Sequence, residues 1–292
     1  MPQNYLPQLL ETVSGRAAAD GGLAAHRGGP FNPEATAWGA IALRLAGVRR
    51  DLALSCLEKL STVQLSDGRV SRYGDHPESF WPTPLAVLAW RGSKPHLRNL
   101  GKGVDFLLAN SGRHWKKPEG YPCDYDTSIR GWPWAADAHS WVEPTSLALL
   151  ALDAAEKADN QRCSEGARML LDRQLPHGGW NFGITVMYGH EIPPQAHLTG
   201  IALAALEGFA PPDIVKKSID YLKTVISETR APLSLCWSIL GLSAWGLRPS
   251  GVSGMIDESL LLQQKYGEFD TSIISLLVIA MCAEEGLKRA MT

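Results

Sequence analysis

The sequence predicts an all-α fold, an (α/α)6 toroid in which six inner helices are ringed by six outer ones. Three observations predict it. A small apolar helix opened by Thr or Ser recurs six times, amphipathic stretches alternate with it, and neither end of the series carries a polar capping repeat of the kind a solenoid needs.

In chain order, an amphipathic stretch at 5–16 is the first outer candidate, and the first apolar helix follows at 35–46 with Thr36 near its start. The next outer stretch is 51–63, then the inner segment 82–90 with Thr83, the outer stretch 97–110, and the inner segment 144–155 with Thr145. The second half repeats the alternation: outer 161–174, inner 198–206 with Thr199, outer 213–228, inner 233–245 with Ser234, outer 252–264 and inner 270–283 with Thr271. The inner segments are rich in Ala and Leu all round, as helices buried on every side are. Their opening Thr or Ser is placed to cap free backbone N–H groups. The outer segments carry charges at helical spacing and so present one wet face. Six such pairs make residues 1–292 a single toroid domain.

Turns after the outer helices carry a spaced motif. Gln174, Gly178 and Trp180 recur in spacing as Gln263, Gly267 and Phe269, and more weakly as Gln64, Gly68 and Val70. Glycine permits the left-handed backbone that leaves a helix, the Gln amide can bond backbone groups at a helix end, and the ring can stack on that amide. With Gly166 and Ala167 upstream, the span 166–180 resembles the QW repeat of squalene-hopene and oxidosqualene cyclases, which protein prenyltransferase β subunits share in looser form. The resemblance implies the toroid, and it implies that Gln174, Gly178, Trp180, Gln263 and Phe269 tie helices together and perform no chemistry.

Charge and cysteine content narrow the function classes. The 28 basic and 30 acidic side chains give a net charge of −2 with no block of one sign, so nucleic acid is not an expected partner. The five cysteines are odd in number and contain no CxxC pair, against both a disulfide framework and a zinc ribbon. No stretch reaches the apolar length of a membrane span and the first 15 residues lack a signal-peptide pattern, so a cytoplasmic chain without a transmembrane segment is expected; peripheral membrane contact stays open.

A ligand in such a toroid sits at the N-terminal ends of the inner helices, where dipoles and loops converge. One connection there is enlarged: 62 residues separate Thr83 from Thr145, against 47 between Thr36 and Thr83. The excess falls in 110–143, which holds Trp115, Tyr121, Asp124, Tyr125, Asp126, Arg130, Trp132, Trp134, Asp137, His139, Trp141 and Glu143. Long loops in compact domains are often binding loops. Aromatic faces attract positive charge and a carboxylic acid supplies a proton, so the mixture suits carbocation chemistry; it equally suits sugar or peptide binding, or a purely structural pinning of the insertion.

The cyclase resemblance implies an Asp-x-Asp-Asp-Thr run whose middle acid protonates an isoprenoid. Asp124-Tyr125-Asp126-Thr127 supplies two acids and the Thr, and Glu268-Phe269-Asp270-Thr271 has a related form. The transferase resemblance would imply zinc on an Asp-x-Cys pair and a distant His. Here Ser234-Leu235-Cys236 replaces the Asp, and no histidine follows His197, so neither a metal nor a cofactor is expected. His177, His190 and His197 lack HExxH spacing. Glu34 and Glu143 each stand two residues before an inner-helix Thr, suiting a dipole contact or, facing the funnel, a general acid.

The expectation is a terpene-cyclase-like protein acting on an isoprenoid or another hydrophobic small molecule, with Asp126, Asp124 and Glu143 as catalytic acids and Trp132, Trp134, Asp137, His139 and Trp141 binding substrate. Squalene cyclases place their site between two toroids, so the resemblance also implies a second toroid chain as partner. A non-catalytic binding toroid and an (α/α)6 carbohydrate-active enzyme are the alternatives; the latter needs two carboxylates facing across one cleft.

Overall fold

The computed structural model describes residues 5–71, 78–121, 123–187 and 189–291. Its helices are α1 (Leu6–Ser14), α2 (Pro33–Leu45), α3 (Arg50–Thr62), α4 (Pro82–Trp90), α5 (Leu97–Ala109), α6 (Val142–Ala154), α7 (Gln161–Asp172), α8 (Ala196–Leu206), α9 (Pro212–Val225), α10 (Pro232–Ala244), α11 (Val252–Leu260), α12 (Gln263–Tyr266), α13 (Thr271–Cys282) and α14 (Leu287–Ala290). A short strand pair, β1 (Val186–Met187) with β2 (His190–Glu191), precedes α8.

Helices α2, α4, α6, α8, α10 and α13 touch in that order, and α13 returns to α2, so the inner ring closes. Each outer helix lies over a seam: α3 against α2 and α4, α5 against α4 and α6, α7 against α6 and α8, α9 against α8 and α10, α11 against α10 and α13, and α1 against α13 and α2. This is the all-α (α/α)6 toroid the sequence predicts. The composition explains the layering: every residue of α4 is buried, whereas α5 buries only Gly103, Val104, Phe106 and Leu107. Between α8 and α10 the ring is tightest, because Gly200 and Gly241 let the two backbones meet; a Cβ on Gly241 would stand 2.5 Å from the Gly200 carbonyl oxygen.

The inner-helix threonines do not take the capping role expected of them. The side-chain caps of α2 and α13 are Asn32 and Asp270, whose carboxamide and carboxylate accept from Ala35 N–H (2.9 Å) and Ile273 N–H (2.8 Å). Each buried threonine instead clasps a residue of an incoming segment. Thr36 Oγ1 accepts from the N–H of Leu23 (2.9 Å), Thr83 from Val70 (3.1 Å), Thr145 from Trp132 (2.9 Å) and Thr199 from Trp180 (2.9 Å). Thr271 donates to the Ala24 carbonyl (2.6 Å), joining the last inner helix to the first connection. Arg16, 2% exposed, reinforces that closure by donating to the Phe269 carbonyl (2.8 Å).

The Gln–Gly turns link successive outer helices. Gln64 Nε2 donates to the Asn99 carbonyl on α5 (2.9 Å), and Gln174 Nε2 to Ser218 Oγ on α9 (2.8 Å). Gln263 stays within its own turn, accepting from Phe269 N–H (2.9 Å). The enlarged connection is irregular, stitched by Gly112 N–H to the Gly131 carbonyl (3.0 Å), Arg113 N–H to Ala138 (2.9 Å) and Trp115 N–H to Thr127 (3.0 Å).

Candidate functional site

The threonine clasps set the rotation of each inner helix. A threonine bound to the incoming segment faces outward, and residues two before and two after it lie about 200° round the helix, facing the toroid axis. On α2 these are Glu34 and Trp38, around Thr36; at α4 they are Trp81 and Leu85, around Thr83; on α6, Glu143 and Leu147, around Thr145. Buried Leu235 takes the threonine's place on α10, flanked by Leu233 and Trp237. These four i, i+4 pairs, with Trp134 and Leu276, line one axial cavity of about 320 Å³ at the N-terminal ends of the inner helices.

Its walls are indoles and leucines. Trp38 and Trp237 meet edge to face with ring centroids 5.9 Å apart, and Trp81 and Trp134 do the same at 6.2 Å. Glu34 and Glu143 supply the carboxylates of the lining, each from the first turn of its helix. Helix dipoles favour charge there. Burial opposes it and prevails at Glu143, whose pKa is raised to about 7 by desolvation first and by the Glu34 charge second. Glu143 can therefore hold a proton near neutral pH and release it into an apolar, aromatic space.

The candidate residues of the enlarged connection fall into separate places. Trp134 and Glu143 reach the axial cavity. Trp132 does not: it is 2% exposed, its indole N–H donates to the Leu107 carbonyl (2.8 Å), and Arg162 stacks over it at 4.2 Å. It is the counterpart of Trp180, whose indole N–H donates to Leu170 (2.7 Å). Asp124 is exposed, and Asp137 is exposed with a left-handed backbone, φ 58°. Asp126 is outside the lining too; Ser128 donates to its Oδ1 from both N–H (2.8 Å) and Oγ (2.6 Å), and those bonds hold its carboxyl below the usual range. An acid so held is ionised at neutral pH and is a poor proton donor. His139 and Trp141 line a second, smaller cleft of about 70 Å³ with Trp115, Tyr121, Tyr125 and Arg173; the His139 ring lies 5.0 Å from that of Trp115.

Glu34, Trp38, Trp81 and Trp237 are the acidic and aromatic cavity residues that lie outside the enlarged connection. For Glu34, Trp38 and Trp81 the signal was in the sequence as positions two before or two after Thr36 or Thr83; Trp237 stands two after Leu235 and had no such marker. Cys236 is wholly buried on α10 and burial pushes its thiol up. Among the described residues no three His, Cys, Asp or Glu are grouped to hold a metal ion, and no helix is long and apolar enough to cross a membrane.

No family model matches the chain, and no curated protein matches it. Solved structures do. A GH76A α-1,6-mannanase from Salegentibacter is similar at TM-score 0.64 and 12% identity, over 96% of this chain and 97% of that one. A protein from Actinoplanes is similar at TM-score 0.57 and 13% identity, over 98% and 100%. A type II terpene cyclase from Scytonema, solved with geranylgeranyl dihydroxybenzoate, aligns at TM-score 0.48 and 14% identity, over 89% and 79%. At such identities likeness speaks of architecture, and the architecture of this chain is that of the (α/α)6 toroids.

Proposed function

We propose that the axial cavity is a small-molecule active site in which Glu143 donates a proton to an unsaturated, isoprenoid-type substrate. The observation that carries the reading is the Glu143 carboxyl, with a pKa of about 7, in a lining otherwise made of tryptophan and leucine apart from Glu34. Protonation of a double bond forms a tertiary carbocation, the faces of Trp38, Trp81, Trp134 and Trp237 stabilise that positive charge, and attack by a second double bond closes a ring. Loss of a proton to the Glu34 carboxylate ends the sequence, so the product is an isomer of the substrate and the protons balance. At about 320 Å³ the cavity lies at the lower end of the small-molecule range, roughly 300–1,000 Å³, which favours a short isoprenoid over a long one.

A second reading is carbohydrate processing. The two cavity carboxylates and the fold likeness to a mannanase favour it. The lining weighs against it, since a sugar ring carries several hydroxyl groups and each left without a partner in an apolar wall costs about 1–3 kcal/mol.

The experiment is to incubate the purified chain, and its Glu143→Gln variant, with short polyprenyl alcohols, with their terminal epoxides and with α-1,6-mannan, and to identify products by mass spectrometry. A cyclic isomer of a polyprenyl substrate, absent with E143Q, is the expected result. Mannan cleavage that E143Q abolishes establishes the second reading instead, and ligand binding with no turnover of any substrate leaves the toroid a binding protein.

A further inference from the structure

Away from the axial cavity, a groove of about 550 Å³ runs between the C-terminal ends of α2 and α4 and the start of α3. Arg44, Arg50 and Lys94 line it, and among the described residues no carboxylate does. The neighbouring cations are neutralised: Arg49 pairs with Asp51 at 3.0 Å and Arg91 with Glu156 at 2.7 Å. None of the three groove cations makes an ion pair among the described residues. Arg44 is anchored by one bond, Nη1 to the Ala89 carbonyl at 2.5 Å, and its Nη2 lies on the Gly92 side, 4.0 Å from where a Cβ would stand. Beside Gly92 and Ser93, whose hydroxyl is taken up by the His96 ring at 2.8 Å, the wall is apolar: Ala53 and Leu57 are buried behind it, and Leu54, 47% exposed, and Pro95 form its surface.

Three like charges lining one groove without a counterion repel one another, and an anion held there relieves that repulsion and can accept charge-assisted hydrogen bonds from a guanidinium group. The adjoining Leu54 side chain is left half in water unless an apolar group covers it. We propose that this groove binds a free, small amphiphile with a phosphate or carboxylate head, which Arg44, Arg50 and Lys94 hold, and an apolar tail, which lies on Leu54 and Pro95. The site is independent of the axial cavity and of any chemistry there.

The test is calorimetric titration with dodecyl phosphate below its micellar concentration, with inorganic phosphate and dodecanol as the separate halves of the ligand. The proteins are the wild type, the double variant Arg50→Glu with Lys94→Glu, and a control of equal charge change, Lys116→Glu with Lys223→Glu, on exposed residues elsewhere. Arg44 is left in place because it holds the Ala89 carbonyl. The expected result is one dodecyl phosphate per wild-type chain, binding weakened about tenfold or more in the groove variant and unchanged in the control, each half binding far more weakly, and unfolding temperatures alike. Equal binding by groove variant and wild type overturns the proposal. Inorganic phosphate binding as tightly as dodecyl phosphate overturns it too, as does binding to phosphatidylglycerol vesicles by a chain that ignores the free amphiphile.

Discussion

Glu34 and Glu143 occupy the same register, two residues before a buried threonine on α2 and on α6, and face one axial cavity. Burial and the Glu34 charge lift Glu143 from the ordinary 4.5 to about 7. The folded chain then keeps a proton that the unfolded chain loses between those two values, so stability falls as pH rises from about 4.5 to about 7 and levels off above. Glu143→Gln removes this term. Its unfolding temperature, measured from pH 4 to 8 beside the wild type, is expected to gain on the wild type as pH rises. The full gain is on the order of 2 kcal/mol, reduced from the ideal by the solvent Glu143 still meets. Glu34→Gln is expected to lower the Glu143 pKa while leaving it above 4.5, because burial is the larger cause.

Asp126 is the opposite case. Its two bonds from Ser128 form a local turn and keep it charged, and Arg168 lies 3.8 Å away on the surface. Asp126→Asn is therefore expected to leave any axial-site turnover unchanged and to alter stability by less than about 1 kcal/mol, since an amide oxygen still accepts from Ser128. Parallel turnover assays of D126N and E143Q check the contrast; loss of turnover in D126N with the fold intact gives the catalytic role back to Asp126.

Thr145 and Trp132 form one structural unit, repeated as Thr199 and Trp180. Thr145→Val leaves the buried Trp132 N–H without its acceptor, at a cost of about 1–3 kcal/mol. Trp132→Phe strands the Leu107 carbonyl and opens a small void, at a cost of about 2–4 kcal/mol. Denaturant unfolding of both singles and the double is expected to show less than additive losses, because the two changes damage one contact network.

The ring of helices was legible because burial on all sides and amphipathicity leave opposite patterns, which is why α2, α4, α6, α8, α10 and α13 could be placed from apolar runs rich in Ala and Leu opened by a Thr or, at α10, Ser234. The cavity was legible only in part. Composition drew attention to the aromatic connection, yet Trp132, Trp134 and Trp141 look alike in sequence and differ only in which carbonyl or ring each one meets in space. Glu34 carried the right spacing but stood in an ordinary helix start. What a linear reading lacks is the rotation of each helix, and the threonine clasps that fix it are contacts made 13 or 19 residues away.

Gly178 and Gly267 separate two reasons for a glycine in the same kind of turn. Both have positive φ, 99° and 86°. A Cβ on Gly178 would stand 2.6 Å from the carbonyl carbon and oxygen of Lys217 on α9, backbone that cannot move without shifting the outer helix. A Cβ on Gly267 meets nothing within 4 Å. Gly267→Ala should then cost only its conformational strain, about 1–3 kcal/mol. Gly178→Ala adds a clash to that strain and should cost more than about 4 kcal/mol, or abolish folding. Chemical denaturation of the two variants decides it. Equal losses would mean that the α7–α9 seam is loose enough to absorb a methyl group, and that Gln174, bonded to Ser218 across it, adds little to holding the two helices together.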